Sequence, residues 1–350
     1  MRRGRCVRCI LPVTFPNIKF NEDGVCNYCQ THVPFHYDGK IVLRNLLQKY
    51  RCRGNKYDCI VPISGGKDST YVLYSAVKEF GMRALAMNYD SGFTTDHAKR
   101  NLKNAFESLH VDYVKIQSKH DIQRKCLKSN IEAWLAKPGA ESFPELCYGC
   151  SEGYKEGAYR IARQMRIPVI LLGDAEIEND ISQAAFHRLH KSYILHLAMR
   201  FRRNQHYLHP LRLYHYLLVQ ADTLANRVYR TFSTNTPFFV HWFNYVPYDT
   251  QRILSTIIDN VGWSKPDSSA SGSRFDCKIG ALKDRMYRQI RGYSIHEEVL
   301  SKMIREGTVT RNVALEAIEQ EKNRDDEEAS IARDVLRQLD MSYAEDRMFS

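Results

Sequence analysis

The sequence lacks any long hydrophobic run, since none of its 350 residues belongs to a stretch of 18 uncharged apolar residues. A helix that spans a bilayer needs about 20 such residues, so a membrane span is not expected. The start of the chain, MRRGRCVRCILPVTFP, is basic, but its apolar run is too short for a signal peptide. Both absences favour a cytoplasmic protein.

Acidic residues are fewer than basic ones, and the formal net charge is +11. Positive charge attracts anionic partners such as nucleotides, nucleic acid, sugar phosphates or a membrane surface. A solvated basic surface without a partner explains the same charge equally well. The apolar content of 43% is enough for a sizeable core, and the length allows two domains or one large domain with attachments.

Segments typical of strands and helices alternate along the first half of the chain. DCIVPIS, RALAMNYD, VDYVKIQS and IPVILLGD read as strands, and helix-like patterns separate them. This alternation predicts an α/β fold in which helices cover both faces of a parallel sheet. Ligands of such sheets bind at the carboxyl ends of the strands, where residues 64–69, Asp90 and Asp174 fall.

Changes in composition divide the chain into five predicted parts. They are a zinc-binding module over 1–36, an α/β core over 37–182, a basic aromatic helical segment over 183–245, a helical part over 246–320 and a charged tail over 321–350. The tail alternates acids and bases, which is typical of an exposed helix or of a disordered segment.

A short motif, SGGKDS, stands between the first strand and a helix. Its residues are Ser64, Gly65, Gly66, Lys67, Asp68 and Ser69. The two glycines allow the backbone to turn sharply and approach an anion, while the helix N-terminus points amides at it. The lysine adds positive charge, the serines add hydroxyl donors, and Asp68 either orients Lys67 or contacts magnesium. The spacing differs from a Walker A loop, so the motif predicts another kind of phosphate loop.

The motif resembles the PP-loop of the ATP pyrophosphatase superfamily, also known as the adenine nucleotide alpha hydrolases. The resemblance implies that ATP adenylates a substrate oxygen, pyrophosphate leaves, and a nucleophile carrying nitrogen or sulfur then displaces AMP. The six loop residues would hold pyrophosphate, and Lys67 and Asp68 would act in catalysis together with Mg²⁺.

Two further regions complete the expected ATP site. The second strand, with Met87 and Asp90, would line the adenine pocket, as second strands do in this superfamily. At the end of a later strand, Asp174 or Glu176 would bind magnesium, and Asp174 is the expected further catalytic residue. A solvated loop acid is an equally good interpretation of Asp174 and Glu176.

Four cysteines near the start, Cys6, Cys9, Cys26 and Cys29, form two Cys-x-x-Cys pairs. Four thiolates on two tight knuckles suit a structural tetrahedral zinc site, with an iron–sulfur cluster or free thiols as alternatives. Two sequence segments, CVRCILPVTFPNIKFNEDGVCNYC around these cysteines and YDCIVPISGGKDSTYVLY around the glycine motif, resemble the N-acetyl sugar amidotransferase family. That resemblance implies a nucleotide-sugar acceptor in surface-polysaccharide biosynthesis and a separate glutaminase subunit that supplies ammonia.

Three other cysteines, Cys147, Cys150 and Cys277, depart from that family. A close pair with a distant third resembles the iron–sulfur tRNA thiolation enzymes of the same superfamily. In those enzymes three cysteines hold a 4Fe–4S cluster with one open iron that can bind sulfide. The three residues therefore bind a cluster, or bind zinc or form a redox pair, or are unrelated thiols.

The segment 183–245 is rich in arginine, histidine and tyrosine and contains a single acid, Asp222. Its arginines and tyrosines suit RNA, a docked glutaminase or an acidic sugar nucleotide, whereas its many apolar residues favour a helical packing element. Because no carboxylate accompanies His187, His190 and His196, they are interpreted as packing residues rather than metal ligands.

Three functions follow from these observations. The first is an amidotransferase-like enzyme that acts on a nucleotide sugar, because the longest matching words belong to that family. The second is a sulfurtransferase that uses a cluster on the three cysteines and a separate sulfur donor, with tRNA or a small molecule as acceptor. The third is a non-catalytic nucleotide-binding subunit of a glycan-synthesis complex, against which the intact Lys67 and Asp68 argue.

Overall fold

Five parallel strands form a single sheet in the order β3-β2-β1-β4-β5. The computed structural model describes residues 4–51, 54–179, 193–233, 236–266 and 275–349. The strands are β1 (Cys59–Pro62), β2 (Ala84–Asp90), β3 (Tyr113–Gln117), β4 (Val169–Leu172) and β5 (Phe238–His241). Because all neighbours are parallel, the carboxyl ends of the strands lie at one edge of the sheet.

The α-helices are distributed along the described chain. They are Asn27–Gln30, Lys40–Gln48, Lys67–Tyr74, Asp96–Leu109, Ile122–Ala136, Phe143–Leu146, Tyr148–Gln164, Tyr193–Arg203, Pro210–Phe232, Thr250–Val261, Ile279–Arg291, Ile295–Arg305, Arg311–Lys322, Asp325–Gln338 and Glu345–Phe349. No helix in the described part of the chain is both long enough and apolar enough to cross a membrane.

Both faces of the sheet are buried, which explains the continuous apolar runs of the central strands. Alternate residues of a strand belong to different hydrophobic clusters, because successive side chains point to opposite faces. Val61 of β1 and Leu171 of β4 join one cluster, while Ile60 and Leu172 join the other. The predicted α/β fold with helices on both faces of a parallel sheet is confirmed.

The segment 183–245 contains a strand as well as helices, although its composition favours helices throughout. The run FFVH forms β5 and pairs in parallel with β4. Aromatic and β-branched residues favour strands, but a run of four gives a weak signal next to long helical patterns. His187 and His190 lie outside the described residues.

The charged tail is folded, which corrects the expectation of an exposed helix or a disordered segment. The helix Asp325–Gln338 packs on the helix Ile279–Arg291. Its buried residues are Ala329, Ala332, Val335 and Leu336. Two of these four are alanines, which bury little surface, so the charged residues around them dominate the sequence pattern.

Candidate active site

The phosphate loop lies where β1 meets the helix Lys67–Tyr74, at the carboxyl edge of the sheet. Gly65 has φ +86°, and a Cβ atom there would stand 2.4 Å from the backbone oxygen of Ala98. A Cβ atom at Gly66 would stand 3.0 Å from Oδ2 of Asp276. Gly65 therefore requires glycine because of its conformation and the backbone close by, whereas a side chain at Gly66 would have to displace the carboxylate of Asp276.

Two residues from distant parts of the chain hold this loop in place. The indole Nε1 of Trp263 donates to the carbonyl oxygen of Gly65 at 3.0 Å. The side-chain amide of Asn101 donates to the same oxygen at 3.3 Å and to the carbonyl of Ser264 at 2.8 Å. Nothing in the local sequence marks either residue, and the sequence analysis missed both.

The predicted serine donors take part in hydrogen bonds within the loop itself. The backbone amide of Ser64 donates to Oγ of Ser69 at 3.2 Å, and the amide of Gly66 donates to Oγ of Ser64 at 3.2 Å. The hydroxyl of Thr70 donates to the carbonyl of Gly66 at 2.8 Å. These contacts fix the loop in a compact form at the N-terminus of the helix, where amides point outward toward an anion.

Lys67 is buried beside two carboxylates. Its Nζ atom lies 2.8 Å from Oδ2 of Asp68 and 2.7 Å from Oε1 of Glu178, and the side chain is 3% exposed. The hydroxyl of Tyr248 donates to the same Glu178 oxygen at 2.6 Å. Burial opposes the charged form, but the two carboxylates outweigh it and raise the pKa of Lys67 above its usual value. Lys67 is therefore a fixed positive charge at the loop.

Asp68 and Glu178 together form a donor set that suits a hard cation. Burial first, and then the charge of Glu178, raise the pKa of Asp68 to about 7. Its Oδ1 atom is buried without a hydrogen-bond partner in the described part of the chain. Two adjacent carboxylates with a free buried oxygen fit Mg²⁺, which prefers oxygen ligands. A cation there would lower the repulsion that raises this pKa.

The acid that reaches Lys67 is Glu178, whereas the sequence pointed to Asp174 or Glu176. Glu176 is exposed. Asp174, at the end of β4, is 40% exposed and accepts a hydrogen bond from the imidazole of His241 at 2.8 Å. All three acids stand in one short stretch, DAEIE, so the sequence located the region but not the residue.

The two expected adenine-pocket residues differ in their surroundings. Met87 is fully buried in the cluster on one face of the sheet, and its carbonyl accepts the amide of Ile63 at 2.8 Å. Asp90 lies at the end of β2, where Nζ of Lys115 is 2.7 Å from its Oδ2. Burial opposes ionisation of Asp90, but hydrogen bonds from Lys115, Gly92 and Gln117 lower its pKa to about 2.

The three later cysteines lie on two segments near the carboxyl edge of the sheet, but their three sulfur atoms are not all within 4.8 Å of one another. The backbone of Cys277 pairs with Thr94, just after β2. Burial raises the pKa of Cys150 to about 12, and the charges of Cys147 and Asp276 act in the same direction. Burial, Cys150, Asp276 and Cys147 likewise raise the pKa of Cys277.

Asp276 links this group of thiols to the phosphate loop, because its carboxylate lies against Gly66. Cysteine thiolates are the usual ligands of iron–sulfur clusters, and three of them would leave one iron of a 4Fe–4S cluster without a cysteine ligand. No sequence signal connects Cys277 with the other two cysteines, since 126 residues lie between it and Cys150.

A buried ion pair holds the chain just before Cys147. Glu145 and Arg200 are each 1% exposed, and NH1 of Arg200 lies 2.5 Å from Oε2 of Glu145. Arg200 also donates to the side-chain oxygen of Asn130 at 2.8 Å. His196, which the sequence indicated as a packing residue, is buried between Tyr216 and Glu145. This part of the basic segment packs against the core.

The four amino-terminal cysteines form a second, separate donor set. All four are buried, and their sulfur atoms lie within 4.8 Å of one another. The Cys6–Cys29 and Cys9–Cys26 sulfur separations are 3.9 and 3.7 Å. A tetrahedron with zinc–sulfur bonds of about 2.3 Å has sulfur atoms about 3.8 Å apart, so the set fits zinc. The carbonyls of Cys6 and Cys9 accept hydrogen bonds from Arg311, which docks the module on the helix Arg311–Lys322.

Comparisons with known proteins give no close relative. No family model matches the sequence, and no curated protein matches it. Among solved structures, this chain is similar to the U34-tRNA thiolase NcsA from Methanococcus maripaludis with its 4Fe–4S cluster, at 13% identity and TM-score 0.34, over 97% of this chain and 89% of that one. It is also similar to the NMN synthetase from Francisella tularensis, at 13% identity and TM-score 0.36, over 82% of this chain and 93% of that one. Neither likeness is close enough to transfer an activity, so function is argued from the site.

Proposed function

We propose that the protein is an ATP pyrophosphatase of the PP-loop type that adenylates a carbonyl-type oxygen and then replaces it. The observation that carries the proposal is the glycine loop at the carboxyl end of β1, where buried Lys67 stands between Asp68 and Glu178. A helix N-terminus, a fixed cation and a pair of carboxylates at one place suit a polyphosphate with its magnesium ion.

Different residues serve different parts of the first half-reaction, in which ATP adenylates the acceptor. The amides at the N-terminus of the helix Lys67–Tyr74 bind the β- and γ-phosphates, and Lys67 stabilises the charge that develops as pyrophosphate departs. Asp68 and Glu178 would hold Mg²⁺, which supplies Lewis-acid stabilisation of the phosphates when bound. The acceptor oxygen forms a bond to the α-phosphorus, the bond to the bridging oxygen breaks, and pyrophosphate takes the electron pair.

Sulfur is the incoming atom that the site supports better. Support comes from Cys277, whose backbone pairs with Thr94 just after β2, and from its neighbour Asp276, whose Oδ2 would be 3.0 Å from a Cβ atom at Gly66. Cys147, Cys150 and Cys277 would hold a 4Fe–4S cluster, which when bound would supply a site for the incoming sulfur. An enzyme that transfers nitrogen from a glutaminase needs no such group of thiols at this place. The proposal therefore places thiolation of tRNA or a small molecule before amidotransfer.

Nitrogen transfer to a nucleotide sugar is the second candidate. It is supported by the sequence segments around the four amino-terminal cysteines and around the phosphate loop, which resemble the N-acetyl sugar amidotransferase family. The convergence of those cysteines into a zinc-like set agrees with this candidate and with the first. Whether Cys147, Cys150 and Cys277 bind iron distinguishes the two candidate functions.

The metal test compares anaerobically purified wild type with Cys147→Ala/Cys150→Ala, Cys277→Ala and Cys9→Ala/Cys26→Ala variants. We expect about four irons with acid-labile sulfide and about one zinc per wild-type chain. The first two variants should lose iron and keep zinc, and the third should do the reverse. Wild type with zinc but no iron overturns the sulfur proposal and moves nitrogen transfer to first place.

The activity test measures pyrophosphate and AMP released from ATP and Mg²⁺. Two acceptor mixtures are compared, bulk tRNA with sulfide and UDP-N-acetylglucosamine with ammonium, with Lys67→Met as the inactive control. Release only with the first mixture supports thiolation. If wild type binds ATP but neither mixture releases pyrophosphate, the enzyme proposal is wrong and a nucleotide-binding subunit takes its place.

A further inference from the structure

A carboxylate–imidazole pair stands at the ends of the two strands beside the phosphate loop. His241 is the last residue of β5, and its register partner on β4 is Leu172, two residues before Asp174. The imidazole Nδ1 lies 2.8 Å from Oδ1 of Asp174. The side chains are 42% and 40% exposed, so a substrate can reach them. When the Nδ1–H group of a neutral imidazole donates a hydrogen bond to the carboxylate, Nε2 carries a free electron pair that can accept a proton.

The pair adjoins the phosphate loop on one side. Gly173 immediately precedes Asp174, and a Cβ atom at Gly173 would stand 3.1 Å from the backbone of Asp68. The end of β4 therefore packs directly on the loop. This contact places Asp174 next to the expected position of the nucleotide phosphates.

On the other side, the helix Tyr148–Gln164, which contains Cys150, packs against β4. Burial raises the pKa of Tyr154 to about 12, and the charges of Asp174 and Cys150 act in the same direction. The charge of Tyr154 first, and then that of Asp174, raise the pKa of Lys155 against the effect of burial. Lys155 and Tyr154, from the helix Tyr148–Gln164, are titratable groups outside β4 and β5 that interact electrostatically with Asp174.

We propose that His241 is the general base of the second half-reaction and that Asp174 orients it. This inference rests on the proposed function. A carbonyl oxygen carries no proton, so the adenylation step needs no base. An incoming sulfhydryl, hydrosulfide or ammonia does carry one. As its sulfur or nitrogen bonds to the adenylated carbon, the carbon–oxygen bond breaks, AMP leaves with the electron pair, and the proton passes to Nε2 of His241.

The test separates the two half-reactions in the acceptor mixture that wild type uses. With His241→Gln, one pyrophosphate per enzyme should appear rapidly, while AMP and product then form about 10²-fold more slowly than in wild type. His241→Gly should behave alike, and added imidazole should restore its product formation. Asp174→Asn should slow product formation and leave the pyrophosphate burst in place.

His36→Gln is the matched control, because His36 is 89% exposed and also lies near an aspartate, with Nε2 3.7 Å from Asp38. It should retain wild-type rates. The inference is overturned if His241→Gln forms product at the wild-type rate, or if it slows pyrophosphate release as much as product. If wild type releases no pyrophosphate in either mixture, the proposed function itself fails, and this inference fails with it.

Discussion

Gly65 is held by two separate constraints, and a single substitution measures their sum. Its φ of +86° is a left-handed conformation, and any Cβ atom would overlap the carbonyl of Ala98. We expect Gly65→Ala to destabilise the fold by more than the roughly 1–2 kcal/mol that left-handed backbone costs, and to abolish ATP binding. Urea denaturation and calorimetric ATP titration check both expectations.

Gly307→Ala is the control for this substitution, because Gly307 has φ +72° with nothing within 4 Å of a Cβ atom. It should show the conformational cost alone and leave ATP binding intact. Equal losses for the two variants would mean that the contact with Ala98 relaxes, and that the loop does not depend on close packing against the helix Asp96–Leu109.

The residues of the site differ in how far a sequence can predict them. The loop residues are contiguous, so a strand, two glycines and a helix predict their place and chemistry together. Trp263, Asn101 and Asp276 act through tertiary contacts with that loop. Glu178 was missed because three acids follow β4 closely, and only the turn after the strand decides which one faces Lys67.

Among the elements, the helix Tyr193–Arg203 shows how a basic segment packs on the core. Arg200 pairs with Glu145, and both are buried. We expect Arg200→Met to destabilise the fold by about 3–5 kcal/mol, because it leaves Glu145 as an uncompensated buried charge. The double variant Arg200→Met/Glu145→Leu should recover much of that stability, as measured by urea denaturation.

Arg202→Met provides the comparison, since Arg202 is exposed on the same helix. It should change stability by less than about 0.5 kcal/mol. If Arg200→Met is as stable as Arg202→Met, the ion pair does not hold the chain before Cys147. The helix would then be free to serve as the RNA surface that its composition also allows.

The amino-terminal knuckle is coupled to the end of the chain through a few contacts. Phe15 packs on Tyr293 with ring centroids 5.3 Å apart, and Arg311 donates to two knuckle carbonyls. In the zinc-free Cys9→Ala/Cys26→Ala variant we expect faster amide hydrogen exchange in the helix Arg311–Lys322 and unchanged exchange in β4. If exchange in that helix stays slow, the stability of the helix does not depend on zinc binding by the amino-terminal module.

Sequence periodicity predicted the central strands because they are buried on both faces and therefore continuously apolar. It failed for β5, which is short and follows two long helices. It also failed for the folded state of the helix Asp325–Gln338, whose buried stripe is half alanine. In both cases packing partners far away in sequence decide the outcome.

At the scale of the whole molecule, one arginine and several carboxylates form a partly buried charge cluster in the carboxy-terminal part. Arg288 lies 2.6 Å from Asp284 and 2.6 Å from Glu321, and 3.2 Å from Glu328, so a guanidinium stands among three carboxylates. This cluster joins three helices of the carboxy-terminal part. Its carboxylates come close enough to hold a metal ion, and Arg288 offsets only part of their charge.

That cluster makes the stability of the molecule depend on pH. Burial first, and then Asp284, raise the pKa of Glu328 from 4.5 to about 7. A raised carboxyl pKa means that the folded state binds the proton more tightly than the unfolded state. The stability this provides is complete below about pH 4.5 and is lost as pH rises through about 7.

Glu328→Gln removes this ionisation and keeps a side chain of the same size. Compared with wild type, it should be more stable by roughly 2 kcal/mol at pH 8, a value reduced for partial solvent exposure, and nearly equal at pH 5. Urea denaturation of both proteins at the two pH values gives the difference. Glu327→Gln, at an exposed position on the same helix, should change little at either pH. An equal gain in the free energy of unfolding for Glu328→Gln at pH 5 and pH 8 would contradict this prediction. A gain caused by the ionisation of Glu328 must increase as pH rises between those values.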